Sequence, residues 1–149
     1  MDSATTPGAR DRRVPSALVL DEVLLAEMTA HCLRAFPAEG CGLLAGESSS
    51  GRAVRCFPTR NQAASARLYV VDPGDHLRAG LEAESEGLEI IGVFHSHTHT
   101  DAYPSATDIA EAPDPDWHYV VVSLRAEAPS VRSFRISGAA VVEEPVAIG

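Results

Sequence analysis

Lysine is absent from this 149-residue chain: all twelve basic residues are arginine, set against twenty-one acidic residues for a formal net charge of −9. That absence excludes a Schiff-base lysine, a P-loop lysine and any attachment of other proteins through lysine side chains of this chain. With a pI near 5.0 the chain is a poor partner for phosphate backbones, so nucleic acid and anionic membrane surfaces are disfavoured. Cysteine is scarce as well. Cys32, Cys41 and Cys56 are too few and too irregularly spaced for a disulfide framework or a CxxC metal knuckle, and they read as reduced packing residues. No apolar run reaches membrane-spanning length, and Met1 to Pro15 lacks the apolar segment of a signal peptide, so a soluble, cytoplasmic protein is expected.

What is present suffices for one ordinary core: 45% of residues are hydrophobic and 22% charged. Residues 1–16, rich in Ser, Thr, Pro, Gly and Arg, read as a disordered leader, and 17–149 as a single domain. Ala17 to Leu20 reads as a short strand. Asp21 then caps a helix whose apolar positions Leu24, Met28, Cys32 and Ala35/Phe36 recur at helical spacing, and Pro37 closes it. Strands are expected over Gly40 to Gly46, Arg52 to Phe57, Arg67 to Val71, Leu88 to His97, His118 to Leu124, Val131 to Ile136 and Ala139 to Glu143. A second helix opens at Asp72-Pro73 and stops at Gly87; a short third one, capped by Ser105, ends before Pro113. The class is α/β, in the α+β sense of a mixed sheet flanked by helices.

The chemistry clusters between Phe94 and Asp108. At the exit of a buried apolar strand stand His95 and His97, two residues apart and therefore on one face. Asp108 sits in the first turn of the helix that Ser105 opens, and the intervening loop is long enough to fold that turn back over the strand end. Two imidazoles and one carboxylate converging on a point suit Zn²⁺ and leave its fourth position for water, as in a catalytic rather than a structural site. Activating that water takes a carboxylate that is not a ligand. Glu39, beside glycines at 40 and 42 that let neighbouring chain approach closely, is the best candidate, although a solvated glutamate at a helix end is the simpler reading of it in isolation.

Glu39 upstream of His95-x-His97-x7-Ser105-x2-Asp108 resembles the motif of the JAMM (MPN+) zinc metalloproteases, which cleave ubiquitin-like proteins from whatever is joined to their C-termini. The resemblance runs from about Leu18 to Ile148. Within the family it is similar to the bacterial CysO-cysteine peptidase type, through FHSHTHTDAYPSATD, HYVVVS, RSFRI and EEPV. It implies a JAMM/MPN-like, cytidine-deaminase-like curved sheet, with zinc held by His95, His97 and Asp108. Glu39 would then be general base and afterwards acid to the leaving amine, and Ser105 would donate to the oxyanion besides serving as a helix cap. The implied substrate is a ubiquitin-like sulfur-carrier protein ending in Gly-Gly and joined to cysteine. Hydrolysis would release cysteine, and the tail would be admitted beside an edge strand.

Other residues draw simpler readings. His99 is expected at the mouth of the site rather than as a fourth ligand, which would close it to water. His31, His76 and His118 lack partners at metal spacing. Trp117 packs near the strand that follows it. Arg60 or Arg67 could pair with a product-side carboxylate, though both read more simply as surface residues. Three rival functions share or discard the site: trimming of extra residues from a carrier precursor, deconjugation from lysine side chains (for which the chain lacks long insertions), and a non-catalytic MPN scaffold. A homodimer is compatible with the sequence, which does not fix the oligomeric state.

Overall fold

The structure, a computed structural model, describes residues 17–149. The expected leader, residues 1–16, lies outside the described residues. Eight strands and three helices follow one another as β1 (Leu18–Leu20), α1 (Glu22–Ala35), β2 (Cys41–Glu47), β3 (Arg52–Thr59), α2 (Pro73–Ser85), β4 (Glu89–His97), α3 (Ala106–Ala110), β5 (His118–Ser123), β6 (Ser130–Ser137), β7 (Ala140–Glu144) and β8 (Val146–Ile148). They form one mixed sheet in the order β7-β6-β5-β4-β2-β3-β1-β8. The pairs β4–β5, β1–β3 and β1–β8 are parallel and the others antiparallel.

Strand periodicity sorts the core onto two faces. Leu44, Phe94, Val120 and Val122 pack with Leu24, Met28 and Cys32 of α1. Leu43, Val93, Tyr119, Val121 and Phe134 face the other way, with Ala79 and Ala83 of α2. Met28, wholly buried, is worth about 2–5 kcal/mol against truncation to alanine. The β2–β4 register shifts between Leu44, opposite Gly92, and Ala45, opposite Ile90, so Ile91 and Phe94 share the α1 face. Beyond that shift His95 and His97 fall on the face of Val93, opposite the one that α1 covers.

The caps fall as read. Asp21 Oδ1 accepts from the Leu24 N–H at 2.8 Å, and Asp72 Oδ2 from the Asp75 N–H at 3.0 Å. Two expectations need correction. Arg67 to Val71 is not a strand: beyond one isolated bridge between Asn61 and Val71 it pairs with no strand. Asn61 takes the place of a neighbouring strand, its Oδ1 accepting from the Val70 N–H and its Nδ2 donating to the Leu68 carbonyl. Side-chain hydrogen bonds thus satisfy an extended segment whose β-rich composition suggests a ladder. The chain also does not finish at β7, since β8 turns back to lie parallel to β1, with Val19 opposite Ala147. Among the described residues no helix is long and apolar enough to cross a membrane.

Candidate metal centre

Strand β4 delivers both imidazoles and α3 the carboxylate. The three ligand atoms form a nearly equilateral triangle: His95 Nε2 to His97 Nε2 is 3.2 Å, His95 Nε2 to Asp108 Oδ2 is 2.9 Å, and His97 Nε2 to Asp108 Oδ2 is 3.0 Å. In a tetrahedral zinc site with bonds of about 2.0–2.1 Å, ligand atoms lie roughly 3.3 Å apart, so the triangle is close to one face of such a site. All three residues are buried.

Proton accounting favours a cation at its centre. His97 Nδ1 donates to the Asp101 carbonyl at 2.9 Å. That bond places the proton on Nδ1 and leaves a lone pair on Nε2, the arrangement in which an outer hydrogen bond orients a metal-ligating histidine. In the neutral ring the lone pairs of His97 and Asp108 point at one another, and a bound cation would satisfy them together. Burial pushes His95 toward its neutral form, against the pull of Asp108. For His97, burial acts downward too, but Asp108 and the Asp101 carbonyl outweigh it and the net shift is upward. Burial would raise the carboxyl of Asp108; the two imidazoles and the Ser105 N–H hold it far below the usual carboxylate range. The donor set fits a divalent ion.

The capping box of α3 is built into this cluster. Asp108 Oδ2 accepts from the Ser105 N–H at 2.8 Å, and Ser105 Oγ accepts from the Asp108 N–H at 3.0 Å. Because the Ser105 oxygen accepts there, its hydroxyl hydrogen is left to donate elsewhere, so the cap and a donor role coexist in one side chain.

Glu39 is brought to the same place across 56 residues of sequence. The Gly40 N–H donates to Ser96 Oγ at 2.8 Å, and the Ser96 N–H donates to the Gly40 carbonyl at 2.9 Å, which bolts the residue after Glu39 to the one between the histidines. Close packing is enforced at Gly42, where a Cβ would lie 2.4 Å from the Phe94 ring and 2.7 Å from the Phe57 carbonyl. Glu39 is 3% exposed, and its Oε1 is buried with no hydrogen-bond partner. Burial pushes its carboxyl up to about 7, a rise that His97 moderates and Asp108 reinforces. Glu39, His97 and Ser105 line one cavity of about 620 Å³, together with Arg67, Thr98 and His99. A buried carboxylate oxygen with no partner is a free hydrogen-bond acceptor facing the same cavity.

The remaining candidates sort clearly. His99 is exposed at the cavity mouth, bonded through Nδ1 to Thr98 Oγ1 at 2.9 Å, and stands outside the ligand triangle. The three cysteines are free and buried. Burial raises the Cys41 thiol to about 11 and those of Cys32 and Cys56 to about 12, so none supplies a thiolate. Arg60 is held by Asp72 and Asp75. His31 Nε2 contacts the carbonyls of Cys41 and Thr59, and Trp117 lies 6.5 Å from the Tyr119 ring. Sequence reasoning missed Ser96, the Asp101 carbonyl and Tyr69, whose ring stacks on His95 at 4.1 Å. Only for Ser96, flanked by both histidines, does the sequence carry any signal.

Residues 21–137 match the Prok-JAB family, prokaryotic homologs of the JAB domain. The chain is 42% identical over 130 residues to the CysO-cysteine peptidase of Mycobacterium tuberculosis, covering 87% of this chain and 89% of that protein. It is 39% identical over 88 residues to a desampylase of Haloferax volcanii, covering 58% of this chain and 63% of that protein. A solution structure of a protein from Desulfitobacterium hafniense superposes with a TM-score of 0.81 at 34% identity, covering 89% of this chain and 92% of that one.

Proposed function

The chain belongs to the prokaryotic JAB-domain family and is a hydrolase of the JAMM type; from that premise we propose that it is a zinc peptidase acting on a ubiquitin-like sulfur-carrier protein. The bond cut is the amide that follows the carrier's C-terminal Gly-Gly, and the product released is cysteine. The observation that carries this reading is the orphaned Oε1 of Glu39, buried and lining one cavity with His97 and Ser105. A scaffold gains nothing from burying an unsatisfied carboxylate oxygen, which costs about 1–3 kcal/mol or more.

His95, His97 and Asp108 would hold Zn²⁺, which when bound supplies a Lewis acid that polarises water and the scissile carbonyl. Glu39 takes a proton from the attacking water as the new C–O bond forms. The Ser105 hydroxyl donates to the carbonyl oxygen as that oxygen gains negative charge. Glu39 then passes the proton to the nitrogen as the C–N bond breaks, so the cysteine leaves with a neutral amine and the carrier with a C-terminal carboxylic acid, whose remaining proton is lost to solvent to leave the carboxylate. Raised by burial toward 7, Glu39 is poised to accept and return a proton near neutral pH. The carrier tail would approach along residues 68–71, which border a mostly apolar cavity of about 390 Å³ that also touches Asp108. Glycines at the end of the tail would let it reach the ion closely.

A carrier–cysteine adduct mixed with the zinc-loaded protein tests the proposal by mass spectrometry and free-cysteine assay. The carrier should lose one cysteine residue while cysteine appears in equal amount. An adduct left intact at stoichiometric zinc would defeat the reading. Faster cleavage of a carrier carrying several extra residues would move the assignment to precursor trimming.

A further inference from the structure

We infer that Arg67 reads the free α-carboxylate of the residue released, making the enzyme selective for a single C-terminal residue over amides formed with lysine side chains. The inference rests on the peptidase reading above and deepens it by naming what the leaving group must carry.

Placement comes first. Glu39 must reach the scissile nitrogen to protonate it, and in a departing C-terminal residue the α-carboxylate lies only two bonds from that nitrogen. Whatever recognises that carboxylate must therefore line the same cavity as Glu39. Arg67 does, beside His97 and Ser105, and it brings the one guanidinium among the described residues lining that cavity. The loop that carries it is fastened at the site. The Glu39 N–H donates to the Ser65 carbonyl at 2.7 Å, and Asn61 Nδ2 donates to the carbonyls of both Glu39 and Leu68. The Arg67 N–H donates to Ser65 Oγ at 3.0 Å. Arg67 is thus tied through its own backbone to the residue that handles the proton.

Charge comes second. Arg55, Arg60, Arg125, Arg132 and Arg135 are each engaged by carboxylates of this chain. Arg67 has no such partner among the described residues, and it lines the cavity that Glu39 lines. A substrate α-carboxylate brought near Glu39 adds a second negative charge at close range, and a planar guanidinium that can bind a carboxylate through two N–H groups offsets it. Lysine side-chain amides place methylenes there instead, and those give Arg67 nothing to bind.

Two adducts test this, identical up to Gly-Gly, one ending in cysteine with its free carboxylate and the other in cysteine α-carboxamide. With the wild type, kcat/KM should favour the acid by about tenfold or more, mostly through KM, as expected for a charge-assisted pair. Arg67→Ala should bring that ratio close to one, and Arg67→Lys should restore part of it. On a Glu39→Gln background, where turnover is suppressed, the two adducts should differ in Kd by a similar factor that again vanishes with Arg67→Ala. If the acid adduct is cleaved but the wild type treats the amide equally, or Arg67→Ala leaves the ratio intact, the inference falls and the peptidase reading stands. If the zinc-loaded wild type cleaves neither, the peptidase reading falls and takes the inference with it.

Discussion

Two buried histidine–carboxylate clusters lie in the same sheet and differ in how their protons balance. Toward the start of β5, His118 Nδ1 meets Glu144 Oε2 at 2.7 Å, Ser133 Oγ donates to the same oxygen at 2.7 Å, and Arg135 Nε donates to Oε1 at 3.1 Å. Every polar atom of that carboxylate has a donor facing it. Burial would raise Glu144, but His118 and Ser133 outweigh it and the carboxyl stays low. At the other end of the parallel β4–β5 pair, His95 and His97 both turn Nε2 toward Oδ2 of Asp108, and the Glu39 oxygen beside them has no partner. The histidines and carboxylates of the two places are alike in being buried. The first is complete within the chain, whereas the second leaves a buried carboxylate oxygen without a partner.

The largest effect expected from breaking this contrast is loss of metal. His97→Ala should abolish both stoichiometric zinc and turnover, whereas His118→Ala should keep its zinc, as metal analysis of the two purified proteins would show. Next comes Glu39→Gln, which should retain zinc and lower kcat about 10²–10⁴-fold, the usual worth of a positioned acid–base group. Ser105→Ala should lower kcat about 10²-fold as a lost oxyanion donor, and cost about 1 kcal/mol in denaturant unfolding as a lost helix cap. The complete cluster should answer in stability instead. Glu144→Ala takes the buried carboxylate away from His118, Ser133 and Arg135 and should cost about 3–5 kcal/mol in urea unfolding, with turnover preserved well below the new midpoint.

The smallest effect concerns pH. In the metal-free protein Glu39 titrates near 7 rather than at its ordinary 4.5, so its contribution to stability is fully present below 4.5 and is lost as pH rises through 7. Metal-free Glu39→Gln should therefore be more stable than the wild type above pH 7, by on the order of 1–3 kcal/mol, with the two curves meeting below pH 4.5. A gap that persists at low pH would mean that Glu39 is not held unsatisfied.

Much of this arrangement is legible residue by residue. The period-two spacing of His95 and His97, the cap formed by Ser105 and Asp108, and the glycine at 42 are local signals, because strand alternation, helix capping and the absence of a Cβ each act over a few residues. The segment from Arg67 to Val71 misleads for the same reason. Its composition suits a strand, but the decision lay with Asn61, whose side chain supplies hydrogen bonds that a neighbouring strand would otherwise supply. His118 looks unpartnered because its partner Glu144 is 26 residues away, on a strand two places along the sheet.

By itself the sequence determined which groups could do chemistry and which faces they would occupy, since side-chain type and backbone periodicity are properties of short stretches. Only the tertiary structure decided that Glu39 would arrive at the histidines, that Asp101 would set the tautomer of His97, and that Arg67 rather than Arg60 would face the cavity. Those outcomes depend on which distant donors and acceptors meet once the sheet is assembled, and hydrogen-bond partnership across 56 residues leaves no trace in local spacing.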